Sequence, residues 1–153
     1  MAIIDQIKRC FLFFELLDDE IDVAVKGCFV ENFQDGEIIF KEGDIGNDFY
    51  IVLTGTVRLT KNVDGREIDI MTMQKGEALG ESVLTRESQR MTNVIAEGNV
   101  DLLVIDQDAI FSLFENHAKI FSIIMLNLSR MLSSRLQKTN LTIARMHEQM
   151  TRG

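Results

Sequence analysis

The chain has 153 residues and a mass of 17.4 kDa, and 46% of it is hydrophobic, which is enough to fill the core of one domain. Sixteen Lys and Arg against 24 Asp and Glu leave a formal net charge of -8. That balance opposes the counterion release that drives nucleic-acid binding and so argues against DNA as a direct partner. No apolar run approaches the roughly 20 residues that span a bilayer, and Met1 to Cys10 carries Asp5 without the order of a signal peptide. A soluble, cytoplasmic chain without membrane contact is therefore expected. Cys10 and Cys28 are too few and too far apart for a metal pair, and are expected as buried thiols.

Residues 1–26 read as N-terminal helices. Ile3, Ile4, Ile7, Phe11, Phe14 and Leu17 recur at three- and four-residue steps, which assigns them to packing, and Asp18 is placed to cap a second helix carrying Ile21 and Val25. From 27 to 105 the pattern changes to short runs rich in Ile, Val, Phe and Thr. Turn residues interrupt them at Asp35-Gly36, Glu42-Gly43-Asp44, Gly55, Asp64-Gly65, Lys75-Gly76 and Gly98-Asn99. Asp64-Gly65, between Val57-Arg58-Leu59-Thr60 and Ile68-Asp69-Ile70, predicts a hairpin with a primed turn. Regularly spaced short strands imply an all-β sandwich or jelly roll.

Residues 106–153 return to helix. Asp106 is placed to cap a helix through Ile110, Leu113 and Phe114, and a longer helix starts near Ala118 and runs almost to the C-terminus. Leu132, Leu136, Thr139, Ile143, Met146 and Met150 follow one another at steps of four, three, four, three and four, a heptad seam. So long a seam predicts a homodimer through paired C-terminal helices; the competing arrangement folds the helix back on its own domain. Thr139 interrupts the seam with a hydroxyl, either to control register or to meet a buried ligand edge.

The chemistry concentrates in Leu79-Gly80-Glu81-Ser82-Val83-Leu84 and Arg90-Met91-Thr92-Asn93-Val94-Ile95-Ala96. Glu81 accepts hydrogen bonds, Arg90 donates them in a planar fork that fits phosphate, and Gly80 lets backbone approach a ligand. A ligand with a hydroxyl-bearing end and an anionic end suits such a pair. Glu77 with Glu81 reads as a catalytic pair only weakly, because the neighbouring glycine and arginine favour binding over proton transfer. The only histidines, His117 and His147, fall on predicted helices, which argues against a metal-dependent enzyme. Asp35, Glu42 and Asp44 read as a solvated face.

Gly43-Asp44-Ile45-Gly46, Phe49-Tyr50-Ile51-Val52, Gly55, Leu79-Gly80-Glu81 and Arg90, in this order, resemble the cyclic nucleotide-binding domain, most of all the sensor domain of the bacterial catabolite activator and Fnr type. The resemblance covers nearly the whole chain. It implies a mostly β fold with flanking helices: one domain over 1–153, built as a double-stranded β-helix (a jelly-roll, cupin-like β-roll) with N-terminal helices and a long C-terminal helix. It implies a phosphate-binding cassette that starts at Gly80 with a short helix. Glu81 would accept from the ribose 2′-hydroxyl, Arg90 would pair with the cyclic phosphate, and the backbone N–H groups of Ser82 and Val83 would add donors. Arg135 would steady Glu81, and Thr139 and Asn140 would meet the adenine edge, one from each subunit. The implied ligand is cyclic AMP, with cyclic GMP as the alternative, and the resemblance implies no cofactor, no metal and no catalysis.

Val83 and Met91 depart from the family, which has smaller residues there; Met91 removes a hydroxyl donor, for which Thr92 is the available substitute. No helix-turn-helix follows the long helix, as expected of a stand-alone sensor or of a piece of a longer regulator. The alternative is a nucleotide-independent scaffold for dimerisation or protein interaction.

Overall fold

The structure is a computed structural model that describes residues 3–85 and 89–153. The order of elements is α1 (Ile3–Lys8), a 3-10 turn (Phe11–Phe13), α2 (Asp18–Ala24), β1 (Phe29–Phe33), β2 (Ile38–Phe40), β3 (Asp48–Val63), β4 (Arg66–Met73), β5 (Ala78–Leu79), a second 3-10 turn (Glu81–Leu84), β6 (Asn93–Asp106), α3 (Gln107–Asn116) and α4 (Ala118–Arg152). The six strands form one antiparallel sheet in the order β1-β6-β3-β4, with β2 on β6 and β5 on β3. It is open rather than closed, and the helices cover one side.

Strand β3 explains the two layers. Side chains alternate along a strand. Phe49, Ile51 and Leu53 turn toward the helices, while Tyr50 and Val52 join Leu79, Val94, Leu102 and Val104 inside the roll. A strand covered on both sides reads as an unbroken apolar run, as Phe49 to Leu53 does. The register of β3 against β6 slips between Val52 and Thr54 and again before Thr56. At Gly55, with φ 85°, a Cβ would stand 2.5 Å from the Asn99 carbonyl, so only glycine lets the two long strands bend together there. The predicted hairpin is present: Val63 pairs with Arg66 across Asp64 (φ 52°) and Gly65 (φ 79°).

The N-terminal expectation is corrected. The helix breaks after Lys8, so the spacing from Ile7 does not carry forward to Phe11 and Phe14. The 3-10 turn buries Leu12 and Phe13 instead, and leaves Phe11, Phe14, Leu17 and Ile3 exposed. Asp18 is the first residue of α2 rather than its cap; the cap is Leu17, whose backbone N–H donates to Glu20 Oε1 at 2.9 Å. Asp106 caps α3 as expected, accepting from the Asp108 N–H at 2.6 Å. Cys10 is buried and Cys28 half-buried.

Helix α4 divides in two. Ile120, Ile124, Leu128 and Met131 pack into the core, and Asn127, fully buried, donates to the carbonyls of Leu12 and Phe14 at 3.0 and 2.7 Å. Leu132, the first residue of the seam, packs against the core, whereas from Leu136 onward every residue of the helix is exposed. No helix of the described residues is long and apolar enough to cross a membrane.

Candidate functional site

Gly80 ends β5 and turns the chain with φ 79°, opening the 3-10 turn Glu81–Leu84. That turn closes with the Val83 N–H donating to the Gly80 carbonyl at 3.3 Å and the Thr85 N–H to Ser82 at 3.0 Å. The Val83 side chain points away from the turn's open side into the core beneath the helices, and its carbonyl accepts from Gln107 Nε2 at 2.8 Å. Val83 thereby ties the turn to the start of α3.

Arg90 is fixed from its backbone outward. Its N–H donates to the Asp44 carbonyl at 2.7 Å and its carbonyl accepts from Gly43 at 2.8 Å, so the turn after β2 grips it on both sides. The side chain is only 4% exposed. The guanidinium lies 4.2 Å from the centre of the Phe40 ring and 5.8 Å from that of Tyr50, a cation–π arrangement. Nη2 donates to the Asp48 carbonyl at 2.8 Å, but Nε and Nη1 have no hydrogen-bond partner among the described residues. Two glycines make room for it. A Cβ on Gly46 would stand 2.5 Å from Nε and Nη2, and one on Gly80 3.0 Å from Nη1.

A buried cation with two idle donors is costly. The field it sets up opposes the effect of burial on its neighbours. Burial, and then the charge of Asp106, raise the carboxyl of Asp48, which Arg90 pulls back down. Burial likewise raises the Tyr50 phenol, again against the pull of Arg90.

Across the turn, Glu81 is partly exposed and faces Arg135 of α4, whose Nη1 lies 4.0 Å from Oε2. Arg135 also pairs with Glu77 at 3.7 Å and donates from Nη2 to the Ala78 carbonyl. Gly80, Glu81, Ser82, Met91 and Thr92 line a cavity of about 170 Å³ floored by apolar residues of the roll, among them Leu79 and Val94. Met91 is exposed at its edge and Thr92 half-buried. The structure thus gathers Gly80, Glu81, Ser82, Met91 and Thr92 around one cavity, with Arg90 packed behind Gly80 and Arg135 behind Glu81. It does not bring Thr139 and Asn140 there: both are exposed on the projecting half of α4. His117 stands at the junction of α3 and α4, and His147 is exposed on α4.

The sequence alone does not assign Phe40, Tyr50, the Asp48 carbonyl or the side-chain space at Gly46 to the site. The two glycines of Gly43-Asp44-Ile45-Gly46 were the available signal, since Gly46 adopts no left-handed backbone and its lack of a Cβ matters only to the guanidinium beside it.

Residues 30–117 match the family model described as the cyclic nucleotide-binding domain. Human cGMP-dependent protein kinase 2 is 36% identical over 96 residues, 61% of this chain and 13% of the kinase. The cyclic AMP receptor protein of Thermus thermophilus is 28% identical over 133 residues, 86% of this chain and 60% of that protein. This chain therefore spans less than two thirds of either relative. The crystal structure of the Thermus thermophilus catabolite activator protein superposes with a TM-score of 0.75 at 27% identity, over 90% of this chain and 63% of that one. A cyclic nucleotide-binding domain from Methylobacillus flagellatus reaches 0.84 at 21% identity, over 94% and 82% of the two chains, a likeness of fold.

Proposed function

The chain belongs to the cyclic nucleotide-binding domain family, and from that premise we propose that it is a regulatory sensor that binds cyclic AMP in preference to cyclic GMP. The observation that carries the reading is the Arg90 guanidinium, buried with Nε and Nη1 unpartnered among the described residues. A cyclic phosphate over Gly80 satisfies those donors and neutralises the charge. Glu81, held from behind by Arg135, accepts from the ribose 2′-hydroxyl, and the N–H of Ser82 adds a donor from the turn. Thr92 offers the hydroxyl that Met91 lacks. The reading involves no catalytic step, cofactor or metal, and places the protein in the cytoplasm.

The preference for cyclic AMP rests on the resemblance of the long-helix segment and on the extent of the match to the cyclic AMP receptor protein, which takes in 86% of this chain. A cavity of about 170 Å³ falls below the ~300–1,000 Å³ that encloses a whole small ligand. It suits the ribose and phosphate and leaves the base outside. The base is then met by Thr139 and Asn140 when two α4 helices pair. Leu136, Ile143, Met146 and Met150 are all exposed, and a helix segment of this length without tertiary contact is marginal in water. Pairing with a second copy buries that seam and completes the pocket in one event.

The Nε–H resonance of Arg90 in a ¹⁵N-resolved spectrum tests the phosphate contact. It is expected to shift and gain protection from exchange on addition of cyclic AMP. An unmoved resonance at saturating nucleotide overturns the assignment of Arg90, and a spectrum that nucleotide leaves unchanged throughout leaves the fold as a scaffold for dimerisation or protein interaction.

A further inference from the structure

The chain carries an excess of negative charge, yet one cleft is strongly basic. Arg9, Lys75, Arg130, Arg135 and Lys138 line a cleft of about 380 Å³ between the N-terminal segment, the β4–β5 turn and α4, with Glu77 the one acid among its walls. Five of the 16 basic residues and one of the 24 acidic ones therefore meet there. We propose that this cleft docks an extended acidic peptide segment of a partner protein, a role independent of nucleotide binding.

Two of the five cations are already engaged. Arg135 faces Glu77 and Glu81, and Arg130 donates to Asn127 Oδ1 at 3.1 Å with Glu15 at 3.9 Å. Arg9, Lys75 and Lys138 form no ion pair among the described residues, so the charge open to a partner is theirs. Phe11, which also lines the cleft, is 43% exposed and stacks on Phe14 at 6.4 Å. An apolar residue of the partner finds a surface there.

The spacing favours an extended chain. Arg130 and Lys138 stand on one side of α4, about 12 Å apart along its axis. Acidic residues on one face of an extended strand recur about every 6.6 Å, so two of them four positions apart match that span. The charge favours a peptide over a nucleic acid. A short segment senses only the local field, within about 8 Å at physiological salt, whereas a nucleic acid extends over the surrounding negative surface. The cleft also survives dimerisation. At about 100° per residue, Arg130 and Lys138 lie well over 90° around α4 from the seam through Leu136 and Ile143, so a paired helix does not cover them.

The test is a fluorescence anisotropy titration of the wild-type chain with a labelled synthetic peptide of alternating glutamates ending in leucine. The same peptide with lysines and a single-stranded oligonucleotide of equal length are run beside it. Saturable binding of the glutamate peptide that weakens as salt is raised is expected, with none of the lysine peptide. The exposed pair Lys75→Glu and Lys138→Glu is expected to weaken it at least about tenfold with the melting temperature held. Failure of the wild type to bind, unchanged binding by the double variant, or an oligonucleotide that binds as tightly overturns the proposal. So does a change in the sedimentation coefficient of the double variant, which assigns the cleft to a second copy of the chain.

Discussion

Replacing Arg90 with Met separates binding from folding, because in the free protein the guanidinium is a liability. The substitution removes two buried donors that have no partner among the described residues, at about 1–3 kcal/mol each. Against that it leaves the Asp48 carbonyl without its partner at 2.8 Å, about 1–3 kcal/mol, and loses the contact with Phe40, about 0.5–2 kcal/mol. Central values leave the variant more stable by about 1 kcal/mol, a rise in melting temperature of about 3 °C for a domain of this size. Nucleotide reverses the comparison. At a concentration of one hundred times Kd the wild type gains about 2.7 kcal/mol. Loss of one charge-assisted contact of about 1.5–3 kcal/mol leaves the variant about 0.3–1.3 kcal/mol of that gain. Thermal melts with and without cyclic AMP read both effects. A free variant destabilised by more than about 2 kcal/mol, or a nucleotide shift equal to that of the wild type, refutes the view that the charge waits for a ligand.

Other outcomes follow from the same geometry. Gly46→Ala keeps the charge but drives a methyl into the guanidinium, whose Nε would lie 2.5 Å away; calorimetry is expected to show about tenfold weaker nucleotide binding, and unchanged binding contradicts the placement of Arg90. Leu136→Asp with Ile143→Asp is expected to abolish dimers in ultracentrifugation while the monomer's stability changes by less than about 0.5 kcal/mol, both sites being exposed; a monomeric wild type contradicts the pairing. Burial raises the thiols of Cys10 and Cys28 from 9.0 to about 11. Their contribution is fully present below pH 9 and is lost as pH rises to about 11, because the unfolded chain releases these protons first. Unfolding free energies from urea melts are expected to fall over that window by an amount on the order of 3 kcal/mol per thiol, and the fall is expected to be smaller in Cys28→Ala; equal slopes in the two proteins refute the linkage.

The sheet was legible because its signals are local. Asp64-Gly65 dictates its own turn, and Phe49 to Leu53 announces a strand buried on both sides. Asp106 caps α3 by a bond within two residues. The N-terminal helix misled because Ile7, Phe11 and Phe14 keep helical spacing across a break that periodicity does not register; a positive φ at Glu15, 73°, marks another break in the same stretch. Glu81 and Arg90 could be picked out by residue type. Their surroundings could not, since Phe40, Gly46 and Asp48 reach Arg90 from β2, the following turn and β3. Arg135 meets Glu81 across more than fifty residues, which no spacing rule supplies and which only the family resemblance suggested. Thr139 and Asn140 stay apart from the cavity within one chain because the helix that carries them projects beyond the domain.

Calorimetric titration of the wild-type chain with cyclic AMP and, separately, cyclic GMP bears most directly on the sensor assignment. Saturable binding of one nucleotide per chain, tighter for cyclic AMP, is the expected result. The absence of heat and of competition with either nucleotide at millimolar concentration contradicts it.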